Sequence, residues 1–271
     1  MVVRAVRETA DTLHKLPNFF ATRDTAQFQS KAIAIEQEDD ESQPTWKRIV
    51  LYEPSGRSQT MVYYRGGQEE IDNQHAKTAS PHPGVENRGE FGDILRSVIA
   101  DLIESQIRWS HWEQGAPGLL AVFRFDVPKE RAHYQWTYSG NRTPGGASQT
   151  IHDQAAYHAE IAIDPKTGSI YRLAVRTDPN AEKVLQAAEV VEYGPVEIGG
   201  NSYICPLRNV VLFVARLDTN EDLEFSHRYR TSPLYTVTVS HTEFRNYHLF
   251  RSESRIVSVE TDVPADANPE H

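Results

Sequence analysis

The sequence predicts an α+β protein in which a single curved antiparallel sheet of about 9–11 strands carries two helices on its concave face. Three observations lead to this prediction. From Trp46 onward, apolar and polar side chains mostly alternate, as in half-buried strands. Short turns rich in glycine and proline join these segments, as the hairpins of an antiparallel sheet require. Only two segments have the period of a helix.

The same pattern bears on domain organisation. No linker rich in proline, glycine and serine separates two cores, so residues 1–262 are predicted to form a single domain. Residues 263–271 are predicted to be a disordered tail. Segments without apolar periodicity are predicted to be loops, and they are residues 36–45, 72–89, 141–150 and 217–233.

The two helices follow from apolar residues that recur every three or four positions. Residues 1–16 form the N-terminal helix, and Pro17 ends it. Residues 90–106 form the central helix, whose wide apolar stripe must lie against the sheet. After the first strand, KRIVLYEP and SQTMVYYR are predicted to be two strands separated by a turn at Pro54-Ser55-Gly56.

The segment YHAEIAIDPKTGSIYRLAVRTD, residues 157–178, is predicted to be a hairpin. Pairing Ile163 with Ser169 places Glu160 opposite Arg172 on a polar face, which is typical of a solvated surface. The other face is apolar and carries Tyr157, Ala159, Ile161, Tyr171, Leu173 and Val175. A long sheet with two helices has more apolar surface than those helices readily fill.

Three segments resemble a known family: AEIAIDPKTGSIYRLAVRTD, VEYGPVEIGGNSYICPLR and HTEFRNYHLFRSESRIV. With the order of elements, they are similar to the LolA-like carriers of the bacterial envelope, which include lipoprotein-localisation factors and the RseB sensor domain. The chain is also similar to secreted proteins of unassigned role from soil bacteria. The resemblance implies a periplasmic or secreted half-barrel with an apolar cavity that accepts acyl chains. The 72–89 loop and a 217–233 insertion depart from the family pattern.

Burial of an acyl chain would contribute about 0.8 kcal/mol per CH₂, so few polar contacts would be needed. The same apolar residues could equally be ordinary core. The residues predicted to line the cavity are Phe91, Leu95, Ile99, Phe123, Phe125, Ile161, Leu173 and Val191.

The stretch WSHWE supplies candidate rim residues. In a regular strand Trp109, His111 and Glu113 would face one way, and Ser110 and Trp112 the other. These aromatic and polar side chains could stack on a sugar or a lipid headgroup, or simply pack under a loop. The complete set of rim candidates is Trp109, His111, Glu113, His158 and Glu160.

Composition narrows the function classes. A net charge of -10 without a basic stripe argues against nucleic acid as a partner. No apolar run reaches the ~18 residues of a transmembrane helix. The polar start is not a secretory signal, so a periplasmic or secreted protein would be present here in its mature form, with the leader absent. Cys205 is the single cysteine, which we expect to be a small buried residue.

No motif nominates a cofactor, a metal or a catalytic centre. The 11 histidines lack HExxH spacing, although the loop pair His75 and His82 could meet a metal, and there is no G-x-S-x-G elbow. The preferred prediction is a binding protein for an acyl chain or a lipoprotein lipid. The alternatives are an envelope sensor or interaction module with a protein partner, and a hydrolase of a polysaccharide or ester. The hydrolase would need a polar cleft with two carboxylates roughly 5–10 Å apart or a Ser–His contact.

Overall fold

The computed structural model describes residues 1–37, 45–72, 84–85, 89–139, 150–179, 184–216 and 235–250. The helices are α1 (Val2–Lys15) and α2 (Asp93–Ile103), and Lys129–Arg131 form a single 3₁₀ turn. The strands are β1 (Phe19–Gln37), β2 (Thr45–Arg65), β3 (Gln68–Asp72), β4 (Gly84–Val85), β5 (Arg108–Gly115), β6 (Gly118–Val127), β7 (Trp136–Ser139), β8 (Thr150–Asp153), β9 (Tyr157–Ile163), β10 (Ile170–Thr177), β11 (Val184–Ile198), β12 (Asn201–Arg216) and β13 (Tyr235–Leu249).

Ten of these strands form one open antiparallel sheet. Their order is β3-β2-β1-β13-β12-β11-β10-β9-β6-β5, so β3 and β5 are the edges. Sequential hairpins build most of this order, and β13 closes back on β1. Strands β4, β7 and β8 form a small second sheet that the sequence did not predict. The predicted α+β class, with an open antiparallel sheet and two helices, is confirmed.

Both predicted helices are present. Helix α1 ends before Pro17, where the Leu16 N–H donates to the Thr12 carbonyl at 3.0 Å. Helix α2 packs its apolar side on the sheet, because Leu95 and Leu102 belong to the same buried cluster as Ile161 and Leu173. We call the side of the ten-stranded sheet that faces α2 the inner face, and the opposite side the outer face.

The predicted register of the 157–178 hairpin is wrong by two residues. Ile161 pairs with Leu173, and Glu160 pairs with Ala174 instead of Arg172. The turn closes one residue later than predicted, with the Asp164 N–H donating to the Ser169 carbonyl at 2.9 Å. Tyr171 then adds a bulge, which turns its side chain to the outer face. An even shift keeps the other residues on their predicted faces.

The predicted turn at Pro54-Ser55-Gly56 is also wrong, because β2 runs through it. Pro54 pairs with Phe28 and Gly56 with Gln27, which leaves Ser55 as the extra residue of a bulge. A bulge accommodates a proline that has no N–H to donate to the ladder. The predicted loops lie largely, and the 263–271 tail entirely, outside the described residues.

Candidate functional site

The predicted cavity residues lie on the inner face, on α2 or, for Phe91, just before α2, in tightly packed surroundings. Phe91 packs in a cluster with Phe19, Tyr64 and Phe244. Phe123 is half-buried and borders the larger cluster under α2. The remaining six are buried within that larger cluster, and they are Leu95, Ile99, Phe125, Ile161, Leu173 and Val191.

A narrow crevice runs between α1, α2 and the inner face. It has room for roughly one water molecule in this structure. Two of the predicted cavity residues, Phe91 and Leu95, line it. Its other apolar walls are Leu13, Leu16, Ile170, Ile204 and Pro206, with Tyr193 on the sheet side.

Helix α1 covers this crevice with few attachments. Of its 14 residues only Ala5 and Thr9 are buried, and its N-terminus has no side-chain cap. Val2 and Val6 pack against the larger cluster, and the Arg4 guanidinium donates to the Pro165 carbonyl. Most of the stability of a helix in a protein comes from tertiary packing. Because α1 buries so little surface, it is one of the more easily displaced elements.

A polar cluster lies behind the crevice on the same face, and we call it the acidic cluster: Arg23, Glu69, Glu90, Glu189 and Asn209. The Asn209 side-chain amide donates to Glu189 at 2.8 Å and to Glu90 at 3.2 Å. Arg23 forms an ion pair with Glu90 at 3.4 Å. Glu90 and Asn209 are fully buried, and Glu189 is nearly so. The Tyr134 hydroxyl donates to Glu189 at 2.7 Å.

Burial raises the pKa of two carboxyl groups in the acidic cluster, those of Glu189 and Glu69. Burial, and then the charge of Glu90, raises the pKa of Glu189 to about 7. The same two causes, in the same order, raise the pKa of Glu69 to about 8. Removal from water disfavours the charged form of a carboxyl group, and a nearby negative charge disfavours it further.

The acidic cluster also leaves polar atoms without a hydrogen-bond partner. Within the described residues, the buried acceptors Glu69 Oε1, Glu90 Oε2 and Asn209 Oδ1 have none, and neither has the Tyr193 hydroxyl. Burial, followed by the charges of Glu189, Glu90 and Glu69, raises the pKa of Tyr193. Because Tyr193 lines the crevice as well, the crevice and the acidic cluster are adjacent.

Sequence reasoning missed the acidic cluster, although one signal was present. Ala187, Glu189, Val191 and Tyr193 share the parity of a strand, and three of the four are apolar or aromatic. A glutamate at an inward position was therefore visible in the pattern. The pattern did not show that this glutamate meets Glu90, because the two are 99 positions apart in the sequence.

A second polar contact anchors α2. The buried Asp101 carboxylate accepts hydrogen bonds from the Tyr157 hydroxyl at 2.5 Å and from the His133 backbone N–H at 2.9 Å. The His133 ring contacts the same carboxylate, and this hydrogen bond raises the pKa of His133. The contact joins α2 to β9 and to the segment before β7.

The predicted arrangement of the WSHWE side chains is wrong because of a bulge at Ser110. Trp109 pairs with Phe123 and Trp112 with Ala121, whereas His111 pairs with Val122. Both tryptophans therefore lie on the inner side, where they are 57% and 50% exposed at the sheet edge. His111 and Glu113 lie on the outer face.

The other rim candidates are also on the outer face, within ion pairs. Glu160 accepts from Arg124 at 2.5 Å, and Glu113 accepts from Arg172 at 3.0 and 2.6 Å. His158 contacts Asp126 at 2.6 Å and Asp178 at 2.9 Å. Glu160 and His158, with Arg124 and Asp126, border a broad depression on the face opposite the crevice.

A Ser–His contact of the kind that a hydrolase needs does occur on β5. The Ser110 hydroxyl lies 2.9 Å from His111 Nδ1. Glu113 lies 3.9 Å from the other ring nitrogen and is bound by Arg172 through two hydrogen bonds. It therefore does not orient the imidazole as the third member of a triad would.

Two further findings concern metals and membranes. Within the described ranges, no group of three or more His, Cys, Asp or Glu side chains is arranged to hold a metal ion, and His75 and His82 fall outside those ranges. Among the described residues, neither α1 nor α2 has the length and apolar character of a membrane-spanning helix. Cys205 is buried, as predicted, and burial raises its pKa to about 12.

The fold defines the class of protein as an open antiparallel sheet with helices on one face, and two solved structures resemble it. One is a LolA superfamily protein from Nitrosomonas europaea, with 9% identity, a TM-score of 0.32, and coverage of 92% of this chain and 94% of that one. The other is a DUF1329 family protein from Desulfovibrio piger, with 9% identity, a TM-score of 0.35, and coverage of 93% and 95%. No family model and no curated protein matches the chain.

Proposed function

We propose that the protein binds a hydrophobic ligand, such as an acyl chain or a lipoprotein lipid, between α1, α2 and the inner face of the sheet. The observation that carries the proposal is the crevice under α1. Its walls are largely apolar, and the helix that covers it buries only two residues completely. We place this activity in the periplasm or outside the cell.

Entry of an acyl chain requires α1 to move, because the crevice is now narrow. The cost of that movement is small, since Val2, Val6 and Leu16 only partly bury their side chains. Each CH₂ transferred from water contributes about 0.8 kcal/mol, so a chain of several CH₂ groups offsets the lost contacts of α1. The predicted cavity residues Phe91 and Leu95 would contact the bound chain.

Native mass spectrometry of the purified protein, followed by organic extraction, tests the proposal directly. We expect a co-purifying acyl species and binding of a fluorescent probe with an uncharged acyl chain. Leu13 is half-buried and lines the crevice, so the larger side chain of Leu13→Trp should fill it. Probe binding should then weaken at least tenfold, which is about 1.4 kcal/mol of binding free energy. The matched control is Leu119→Trp, at an exposed position of β6. An empty protein that does not bind the probe would overturn the proposal.

A second candidate function, an interaction module, is favoured by the exposed edge of the sheet. Trp109, Trp112 and Leu119 are all at least half exposed on the inner side of β5 and β6. Exposed clusters of large apolar side chains often mark protein interfaces. A photo-crosslinking residue at position 112 should then capture one defined envelope protein in cells. The same residue in place of Tyr52, exposed on β2, is the control, and equal labelling from both positions would exclude the candidate.

A further inference from the structure

The acidic cluster has more hydrogen-bond acceptors than its own donors satisfy. Three carboxyl groups, from Glu69, Glu90 and Glu189, lie within electrostatic range of one guanidinium, that of Arg23, which forms an ion pair with Glu90. Asn209 donates to two of them and keeps its own buried carbonyl oxygen without a partner in the described part of the chain. Buried acceptors without donors cost free energy, so such a group of acceptors is a place where a donor would bind.

We infer that the ligand of the crevice carries a cationic head, a primary ammonium group, and that the acidic cluster binds this head. The inference rests on the proposed function for the apolar part of the ligand. An ammonium group has three N–H donors and no acceptor. Those donors equal in number the three acceptors that lack partners in the described residues, Glu69 Oε1, Glu90 Oε2 and Asn209 Oδ1.

The crevice leads to the acidic cluster through two residues. Phe91 lines the crevice with its side chain, and its backbone N–H donates to Glu69 at 3.2 Å. Tyr193 lines the crevice from the sheet, is 5% exposed, and has a hydroxyl without a partner in the described ranges. A ligand with its chain under α1 would therefore bring its head past Tyr193 to Glu90.

Charge selects the class of head group. A phosphate or carboxylate head would add negative charge beside buried carboxyl groups, which opposes binding. A neutral hydroxyl head would donate one hydrogen bond, whereas hydrogen bonds between charged partners are roughly twice as strong as neutral ones. The cluster therefore favours an amine over an alcohol or an acid with the same chain.

In the free protein, bound protons reduce the negative charge of the acidic cluster, as the cation would in the complex. The raised pKa values of Glu189 and Glu69, about 7 and about 8, mean that both carboxyl groups are partly protonated near neutral pH. Binding of an ammonium favours their ionised forms, so it should release protons. Affinity for the amine should consequently rise between about pH 5.5 and about pH 8.5.

Three probes with the same chain separate this inference from the proposed function. Isothermal titration would compare dodecylammonium, dodecanol and dodecanoate below their micelle-forming concentrations. We expect dodecylammonium to bind at least about tenfold more tightly than dodecanol, and dodecanoate to bind most weakly. Equal binding of all three would overturn the cationic-head inference and leave the proposed function standing. Binding of none would overturn the proposed function.

Variants locate the effect in the acidic cluster. Glu90→Gln and Glu189→Gln should each lower dodecylammonium affinity at least fivefold and leave dodecanol affinity unchanged. Glu192→Gln is the matched control, because Glu192 pairs with Arg208 on the outer face. If the buried variants do not fold, proton release is measured on the unchanged protein by titration in two buffers of different ionisation enthalpy. Absence of proton release would overturn the inference.

Discussion

Asn209 donates its side-chain amide to Glu189 at 2.8 Å, across the pair of strands β11 and β12. The same nitrogen lies 3.2 Å from Glu90, which precedes α2. A single amide therefore holds together two strands of the sheet and the start of the helix that covers them. A polar side chain at this position also explains why the inner face is not a plain apolar surface under the helices.

Replacing Asn209 by Ala should destabilise the fold by about 2–3 kcal/mol. Two buried carboxyl groups would lose their shared donor, and hydrogen bonds to charged groups contribute about 1.5–3 kcal/mol. Urea denaturation followed by circular dichroism measures the change. Asn201→Ala, at an exposed position at the start of β12, is the control. A change below about 0.5 kcal/mol at position 209 would contradict this view of the cluster.

Stability should fall as pH rises from about 5 to about 8. The pKa of Glu189 rises from an ordinary 4.5 to about 7 on folding, and that of Glu69 from 4.5 to about 8. Between these values the folded state binds more protons than the unfolded state, so each added pH unit favours unfolding. His133, whose pKa is also raised, adds a loss of the same sign above its ordinary 6.5.

Glu189→Gln should flatten this pH dependence, because the amide carries no titrating proton. Thermal unfolding across the pH range, for the variant and the unchanged protein, makes the comparison. Glu197→Gln, on an exposed part of β11, should leave the profile as it was. A profile that is flat already in the unchanged protein would show that Glu189 is ionised throughout.

Tyr157→Phe should cost about 1.5–3 kcal/mol, because the hydroxyl donates to the buried Asp101 carboxylate at 2.5 Å. The loss should be local to α2. Hydrogen exchange of the amides of Asp93–Ile103 should therefore accelerate more than that of β12. Tyr171→Phe is the control, since the Tyr171 ring lies on the outer face, where it packs against Leu120, Val122 and Ala162. Equal acceleration in both variants would contradict the anchoring role of Asp101.

Two double-mutant cycles that share Arg172 distinguish the observed outer-face pairing from the one that the sequence predicted. Arg172 binds Glu113 through two hydrogen bonds, whereas it lies 3.6 Å from Glu160. We expect a coupling energy of about 1 kcal/mol for Arg172→Met with Glu113→Gln, and a few tenths of that with Glu160→Gln. Chemical denaturation of the single and double variants gives both values. A larger coupling with Glu160 would contradict the described geometry.

The sequence predicted the elements well where a local period decides them. Pro17 and the spacing of Val6 and Leu13 were enough to place α1, and the apolar stripe from Ile94 to Leu102 was enough to place α2. Strand parity also assigned Leu173 and Val175 to the correct face, because an error of two residues in register leaves the face unchanged. These features depend on neighbours a few residues away.

Three of the errors occur at bulges. Ser55, Ser110 and Tyr171 are each an extra residue in one strand of a pair. Whether a residue is paired or extra depends on the partner strand, which local periodicity does not contain. The bulge at Ser110 moved Trp109 to the side opposite His111, so the rim that the sequence grouped together was divided between two faces.

The sequence by itself determined the class of fold, the two helices and the presence of a long apolar sheet face, since hydrophobic periodicity encodes all three. Only the tertiary structure decided what lies on that face. Glu69, Glu90 and Glu189 come from the edge strand β3, the segment before α2 and the central strand β11. They meet because the sheet order and the packing of α2 bring distant segments together, and their pKa values rise because the same packing excludes water.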